Sequence, residues 1–233
     1  LSFMLPLTQY HLHDDGMKLL SLSNNILKFK VFSDQAWNYN ILLTGSSGQG
    51  KSVFVNKIIH EECERGSNVL IVDLGNSFKK LARYHSANIF SESFNPYQFK
   101  DPTYLKEFIL SVVDKSEFPL KEQGRLFSEI QIYLDKTEKG SFQELIEALE
   151  KSFSGISYYF TELWTFFNND EVNVSNLTYV DLALFPKHLH SPLIIYLTEY
   201  YNTLPSDKIF ACDEFWYLIE QVGPLVERIF RTG

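Results

Sequence analysis

The stretch Gly45-Ser-Ser-Gly-Gln-Gly-Lys51-Ser52 decides how this chain folds. It matches the pattern GxxxxGK(S/T), which predicts a loop whose backbone N–H groups surround phosphate oxygens. Glycines permit such a turn, and the positive end of a helix that begins near Lys51 faces the same anion. A glycine-rich turn that merely starts a helix is the alternative. The flanking sequence favours phosphate binding, because 39–44 has the apolar run of a strand and 53–64 the periodicity of a helix.

The residue types of this loop also predict its ligands. Lys51 is expected to reach the β- and γ-phosphates of a nucleotide, and the hydroxyl of Ser52 suits Mg²⁺, which prefers oxygen ligands. ATP and Mg²⁺ are therefore the expected cofactors. The predicted nucleotide-binding residues are Gly45, Ser46, Ser47, Gly48, Gln49, Gly50, Lys51, Ser52 and Val53.

The sequence around the loop alternates between strand and helix patterns. A continuous apolar run at 68–73 is typical of a strand that is buried on both faces. The further predicted segments are a helix at 78–84, a strand at 87–90, a strand at 177–184, a helix at 193–201 and a strand at 208–213. Strands that alternate with helices predict an α/β fold with a mostly parallel sheet flanked by helices.

Two regions depart from this alternation. Strand-like runs at 18–22 and 26–32, joined by Asn24-Asn25, predict an N-terminal β-hairpin. Residues 102–168 have a helical pattern with a capping-box signature at Ser141-Phe-Gln-Glu144, which predicts a helical insertion. The predicted divisions are a hairpin segment at 1–37, a first part of the core at 38–101, the insertion at 102–170 and a second part of the core at 171–233.

Acidic residues follow the predicted strands. Asp213 and Glu214 stand at the carboxyl end of the run at 208–213, the edge where open α/β sheets bind ligands. Asp213 is expected to hold Mg²⁺ and Glu214 to polarise the water that attacks the γ-phosphate. An Asp-Glu pair at a solvated helix start is the alternative for these two acids. Asp73 either belongs to the site or caps a turn, and the case for Asp181 is weaker.

Composition and net charge limit which other functions the chain can have. The chain has 233 residues and a net charge of -8, so the whole molecule has no electrostatic reason to coat nucleic acid. No apolar run approaches the roughly 20 residues that a bilayer span needs, which predicts a cytoplasmic location. Two cysteines, Cys63 and Cys212, are expected to be packing residues. The pairs His11/His13 and His188/His190 are expected to be solvated loop residues and not metal ligands.

Four pieces of sequence together resemble the TraC-type conjugal-transfer ATPases of type IV secretion systems, within the HerA/FtsK-like P-loop superfamily. They are Asn38-Tyr-Asn-Ile-Leu-Leu-Thr-Gly-Ser-Ser-Gly-Gln-Gly-Lys-Ser52, Val72-Asp-Leu-Gly-Asn-Ser-Phe78 with Phe94-Asn-Pro-Tyr97, Asp213-Glu-Phe-Trp216, and Phe230-Arg-Thr-Gly233. The resemblance implies a RecA/FtsK-like P-loop NTPase fold. It also implies a Mg²⁺-dependent ATPase, usually hexameric, that energises pilus assembly or substrate transfer at the bacterial inner membrane.

The last of these pieces resembles the start of the family's arginine-bearing segment. Arg231, with Arg228 nearby, is therefore a candidate for a charge that stabilises the transferred phosphate within or between subunits. A solvated basic helix face is the alternative. Family members continue into a further strand with a polar residue that senses the γ-phosphate, so we expect this chain alone to have an incomplete sheet and poor turnover.

Two other functions compete with the secretion ATPase. A DNA-pumping ATPase of the HerA/FtsK or coupling-protein kind shares the P-loop and the acidic pair. Such a protein must also bind DNA, which is a polyanion, and the net charge of -8 argues against this function. The third alternative is a scaffold that binds nucleotide only to fix the shape of an oligomer, because no sequence motif proves that ATP is hydrolysed.

Overall fold

The computed structural model describes residues 16–20, 25–33, 39–46, 48–90, 93–168, 170, 175–205 and 207–213. The strands are β1 (Met17–Leu20), β2 (Ile26–Phe29), β3 (Asn68–Asp73), β4 (Asn88–Phe90), β5 (Leu177–Asp181) and β6 (Lys208–Cys212). The helices are α1 (Lys51–Glu64), α2 (Lys79–Tyr84), α3 (Pro102–Val112), α4 (Leu120–Lys136), α5 (Phe142–Glu150) and α6 (Lys187–Thr203). Short 3₁₀ turns lie at Lys115–Glu117, Ile156–Phe160, Trp164–Phe166 and Leu182–Leu184.

Four parallel strands form the central sheet, in the order β4-β5-β3-β6. All six residues of β3 are buried, as its continuous apolar run predicts. The register places Asp73 opposite Asp181 and Val72 opposite Cys212. The carboxyl ends of β3, β5 and β6 therefore meet at one edge of the sheet. The predicted α/β fold with a parallel sheet is confirmed.

The two faces of the sheet carry different helices. On one face, α1 and α2 contribute Ile59 and Ala82 to a cluster with Val69, Ile71 and Tyr179 of the strands. On the other face, a larger cluster joins Leu70 and Val72 to side chains of α3, α4, α5 and α6. The cysteines pack against these clusters, Cys63 against the first and Cys212 against the second. Burial raises the pKa of the Cys63 thiol to about 11, as expected for a packing residue.

The helical region is joined to the sheet through a shared core. The Phe94 N–H donates to the carbonyl of Phe166 at 3.0 Å, and the Asn168 N–H donates to the carbonyl of Phe94 at 2.9 Å. These bonds connect the segment after β4 to the end of the helical region. The insertion thus forms one side of the core, and its boundaries at 102 and 170 stay a prediction.

The predicted N-terminal hairpin is confirmed in a shorter form. Strands β1 and β2 pair antiparallel, with Met17 opposite Phe29. The hairpin lies on α1, where the rings of Phe29 and Phe54 are 6.3 Å apart and Lys57 Nζ donates to the Lys18 carbonyl at 3.4 Å. Asn24 of the predicted turn lies outside the described residues.

The prediction of a strand at 39–44 is wrong. This segment has no strand pairing in the described part of the chain, and the side chains of Ile41 and Leu42 are 45% and 75% exposed. An apolar run supplies a tendency to be buried, but a strand also needs a neighbour to satisfy its N–H and C=O groups. Among the described strands, β6 pairs only with β3.

Helix α6 is longer than the sequence pattern predicted, and it contains the second histidine pair. The expectation that His188 and His190 are solvated loop residues is therefore wrong. His188 is exposed, but His190 is buried, and its Nε2 lies 3.0 Å from the carbonyls of both Leu182 and Phe185. His190 is a core residue with its polar atom satisfied. His11 and His13 lie outside the described residues.

The capping box at the start of α5 predicts a measurable contribution to stability. Ser141 Oγ accepts from the Glu144 N–H at 3.2 Å, and Glu144 Oε2 accepts from the Ser141 N–H at 3.0 Å. We expect Ser141→Ala to lower the free energy of unfolding by about 1 kcal/mol, because an N–H of the first turn loses its acceptor. Urea denaturation checks this, with the exposed Ser154→Ala as a control. Equal midpoints for the two variants would contradict the capping role.

Candidate nucleotide-binding site

The loop before α1 has the backbone geometry that its glycines predict. Gly48 and Gly50 adopt φ values of 76° and 85°, and Gly50 is the N-cap of α1. Side chains with a Cβ rarely adopt this left-handed conformation, so glycine is the residue that fits both positions. The Gly50 carbonyl accepts from the Phe54 N–H at 2.9 Å and so opens the helix. Ser47 of the loop lies outside the described residues.

Lys51 places its ammonium group over this loop. Its Nζ donates to the carbonyls of Gly45 at 2.7 Å and Ser46 at 3.0 Å. A Cβ on Gly45 would stand 3.4 Å from Gln49 Oε1 and 3.7 Å from Lys51 Cδ, beside the lysine chain. The loop is open to solvent, with Gly45, Ser46, Gly48 and Gln49 all exposed. It therefore offers a cation and the start of a helix to an anion that approaches from solvent.

Asn56 fixes the position of the loop relative to the sheet. Its Nδ2 donates to the carbonyl of Ser52 at 2.7 Å and to the carbonyl of Ser77 at 3.2 Å. Ser77 lies between β3 and α2, at the carboxyl edge of the sheet. This pair of bonds therefore brings the first turn of α1 to the edge where the parallel strands end. The sequence pattern did not predict a role for Asn56. The sequence indicates it only as a polar residue that stands one helical turn after Ser52.

Asp213 lies at the same edge. It directly follows β6, and its N–H donates to the carbonyl of Val72 at 3.2 Å. The structure thus brings Ser52 and Asp213, the two predicted Mg²⁺ ligands, to one edge of the sheet. Val53 also lies in the first turn of α1, with its side chain 73% exposed. Glu214, Arg228 and Arg231 lie outside the described residues, so their roles stay predictions.

The other two carboxylates at this edge hold local structure together. Asp73 is fully buried and accepts three hydrogen bonds, from the N–H groups of Gly75 and Phe78 and from the Tyr179 hydroxyl, each at 3.0 Å. Asp181 accepts from the Ala183 N–H at 3.2 Å and pairs with Lys79 at 3.6 Å. Of the two readings of Asp73, the structure supports the turn cap.

Removing the Asp73 carboxylate should therefore destabilise the fold. We expect Asp73→Ala to lower the free energy of unfolding by about 3 kcal/mol or more, because three donors lose their buried acceptor. Urea denaturation measures this loss, and Asp73→Asn, which retains one acceptor oxygen, should lose less. An Asp73→Ala variant with wild-type stability but weakened nucleotide binding would overturn the cap assignment.

The loop residues suit a nucleotide phosphate with bound Mg²⁺. Gly48 has open space where a Cβ would stand, so the loop leaves room for an anion beside the exposed backbone. Lys51 would hold phosphate oxygens, while the oxygens of Ser52 and Asp213 are ligands of the kind Mg²⁺ prefers. The metal would neutralise charge on the phosphates.

Comparison with known proteins agrees with this geometry. Residues 21–173 match the family model of the TraG P-loop domain. The chain belongs to the TraG P-loop domain family. A P-loop domain binds nucleotide, which agrees with the loop described above. No helix among the described residues of this TraG-family domain has the length and apolar character needed to cross a membrane.

A solved structure has the same fold as this TraG-family domain. It is the structure of VirB4 of Thermoanaerobacter pseudethanolicus, with a TM-score of 0.71 and 14% sequence identity. The match covers 94% of this chain and 74% of that chain. This match confirms the predicted P-loop NTPase fold. The family model supports the resemblance to the TraC-type ATPases. No curated protein sequence matches the chain.

Proposed function

We propose that this chain is the Mg²⁺-dependent ATP-hydrolysing domain of a type IV secretion or conjugation motor. The observation that carries the proposal is the position of the Lys51 ammonium over the open loop, 2.7 Å from the Gly45 carbonyl and 3.0 Å from that of Ser46. Asn56 holds this loop at the sheet edge to which Asp213 belongs. Membership of the TraG P-loop domain family supports the same class of function.

Different residues carry out different parts of the proposed reaction. The loop amides and Lys51 bind and orient the phosphates, and Ser52 with Asp213 holds the metal. Glu214, the residue after Asp213, orients the attacking water and accepts its proton. Arg231 supplies a positive charge to the transferred phosphate, with Arg228 as the other candidate. Hydrolysis thus needs more groups than nucleotide binding does.

The role of Glu214 is testable by an isosteric change. In the full-length protein, Glu214→Gln is expected to bind ATP with wild-type affinity and to hydrolyse it about a hundredfold or more slowly, because an amide does not accept the proton. Phosphate release and equilibrium nucleotide binding are measured together. Asp207→Asn, the same chemical change at an exposed position before β6, is the control. A wild-type hydrolysis rate in Glu214→Gln would exclude the assigned role.

The cellular role is part of the same proposal. We assign the motor to pilus assembly or to the transfer of secreted substrates, acting as a homo-oligomer, hexameric by resemblance, on the cytoplasmic side of the bacterial inner membrane. Subunits of such a ring complete one another's sites. Deleting the gene should abolish transfer, and wild-type protein, but not a Glu214→Gln variant, should restore it.

Two outcomes would favour the other functions. DNA-stimulated hydrolysis with binding that weakens steeply as salt rises would identify a DNA pump, although the net charge of -8 opposes it. Saturable ATP binding with no hydrolysis by the assembled wild-type protein would identify a nucleotide-binding scaffold. Hydrolysis that DNA does not stimulate agrees with the secretion motor.

A further inference from the structure

Two histidines and a glutamate lie together on the sheet face that carries α1 and α2. His60 and Glu64 are one turn apart in the last part of α1, and His85 is the residue that ends α2. His60 Nδ1 is 2.9 Å from His85 Nε2, and His85 Nδ1 is 3.9 Å from Glu64 Oε1. These three residues are called the histidine cluster below. None of them belongs to the phosphate loop.

The cluster has the donor atoms of a transition-metal site. One ligand atom from each of the three residues lies within 4.8 Å of the other two. Two nitrogens bound to one tetrahedral zinc by bonds of 2.0–2.1 Å stand about 3.3 Å apart. The two facing nitrogens, now 2.9 Å apart, therefore need to separate by a few tenths of an ångström, and the rings need to turn so that both lone pairs point at the ion. Two imidazoles and a carboxylate are a ligand set that suits Zn²⁺.

The surroundings leave Glu64 available to this cluster. The neighbouring Arg65 pairs with Glu62 and, at 3.8 Å, with Glu61. The side chain of Glu64 is 63% exposed, so its carboxylate has room to turn towards an ion. The ring of Tyr84 packs edge-on against both imidazoles, at 5.6 Å from His60 and 5.0 Å from His85. This packing keeps the two histidine rings beside each other while the carboxylate turns.

We propose that His60, His85 and Glu64 form a Zn²⁺ site that ties the end of α1 to the end of α2. The protein ligands are His60 Nδ1, His85 Nε2 and a Glu64 carboxylate oxygen that turns towards the ion from its place beside His85 Nδ1, and water takes the fourth position. The ion takes the place of the direct contact between the two imidazole nitrogens. Because α1 begins at the phosphate loop, bound zinc fastens the far end of that helix to its neighbour and stabilises the folded state.

Zinc titration of the full-length protein tests the site in the absence of nucleotide. Metal-free protein is titrated with ZnCl₂ in excess Mg²⁺ against a chromophoric chelator, and thermal unfolding is followed with and without zinc. The variants are His60→Ala, His85→Ala and Glu64→Gln, with the exposed His188→Ala as the control. Glu64→Gln alters an exposed side chain, so it reports on the site even where a histidine variant does not fold.

The expected result is one zinc ion that depends on the cluster. The wild type and His188→Ala should bind it with equal affinity and unfold several degrees higher with zinc, whereas each cluster variant should bind at least about tenfold more weakly. Co²⁺ should give the visible absorption of a four-coordinate site in the wild type and in His188→Ala, and in none of the three cluster variants. The proposal is overturned if the wild type binds no zinc, or if the cluster variants bind zinc as tightly as the wild type.

Discussion

Lys51→Ala is expected to weaken ATP binding by roughly ten- to a hundredfold, because a charge-assisted hydrogen bond contributes about 1.5–3 kcal/mol. In the structure this ammonium bonds to the carbonyls of Gly45 and Ser46, over the loop. A nucleotide phosphate that enters the loop would therefore meet the Lys51 ammonium group. Equilibrium titration with a fluorescent ATP analogue measures the loss.

The same substitution is expected to slow hydrolysis by about a hundredfold or more, because charge that develops on the phosphate loses a preorganised donor. Lys80→Ala, at an exposed lysine of α2, is the matched control and should behave as wild type. Circular dichroism should show that Lys51→Ala keeps its fold, since the side chain adds little to the core. Undiminished ATP affinity in Lys51→Ala would contradict the proposed phosphate site.

The largest loss of stability is expected from Phe108→Ala. Phe108 is fully buried in α3, and its ring lies 5.4 Å from Phe142, 5.9 Å from Phe167 and 6.1 Å from Phe94. These contacts join the helical insertion to the segment after β4. We expect the free energy of unfolding to fall by about 3–5 kcal/mol, from lost burial and from the cavity that remains.

Urea denaturation followed by far-ultraviolet circular dichroism checks this prediction. Leu120→Ala is the control, since that side chain is 86% exposed at the start of α4 and its loss should change stability by less than about 0.5 kcal/mol. If the insertion folded separately from the sheet, Phe108→Ala would produce two transitions. A single shifted transition agrees with the shared core.

Sequence patterns predicted the elements whose formation depends on local chemistry. The phosphate loop was recognised because its backbone needs glycine at positions such as Gly48 and Gly50, and the start of α5 because Ser141 and Glu144 cap each other. Strand β3 was predicted with its observed bounds, because an apolar run buried on both faces leaves little ambiguity. Predicting these features requires no information about residues that are distant in the sequence.

Features that depend on partners distant in the sequence were not predictable in the same way. The run at 39–44 is as apolar as a strand, yet pairing decides whether a strand forms, and a pattern does not show its neighbour. The first turn of α6 was missed because Lys187 and His188 are polar and Pro192 follows them. The bond of Asn56 to Ser77 and the contact of His60 with His85 become significant only once α1 and the segment 77–85 lie on the same face of the sheet.

The most direct test of the nucleotide site is a crystal structure of the protein with Mg²⁺ and a non-hydrolysable ATP analogue. We predict that the phosphates lie within the loop from Gly45 to Ser52, that Lys51 Nζ leaves the carbonyls of Gly45 and Ser46 for phosphate oxygens, and that the metal lies between Ser52 and Asp213. Nucleotide bound elsewhere, or a loop that stays empty at saturating nucleotide, would contradict the proposal.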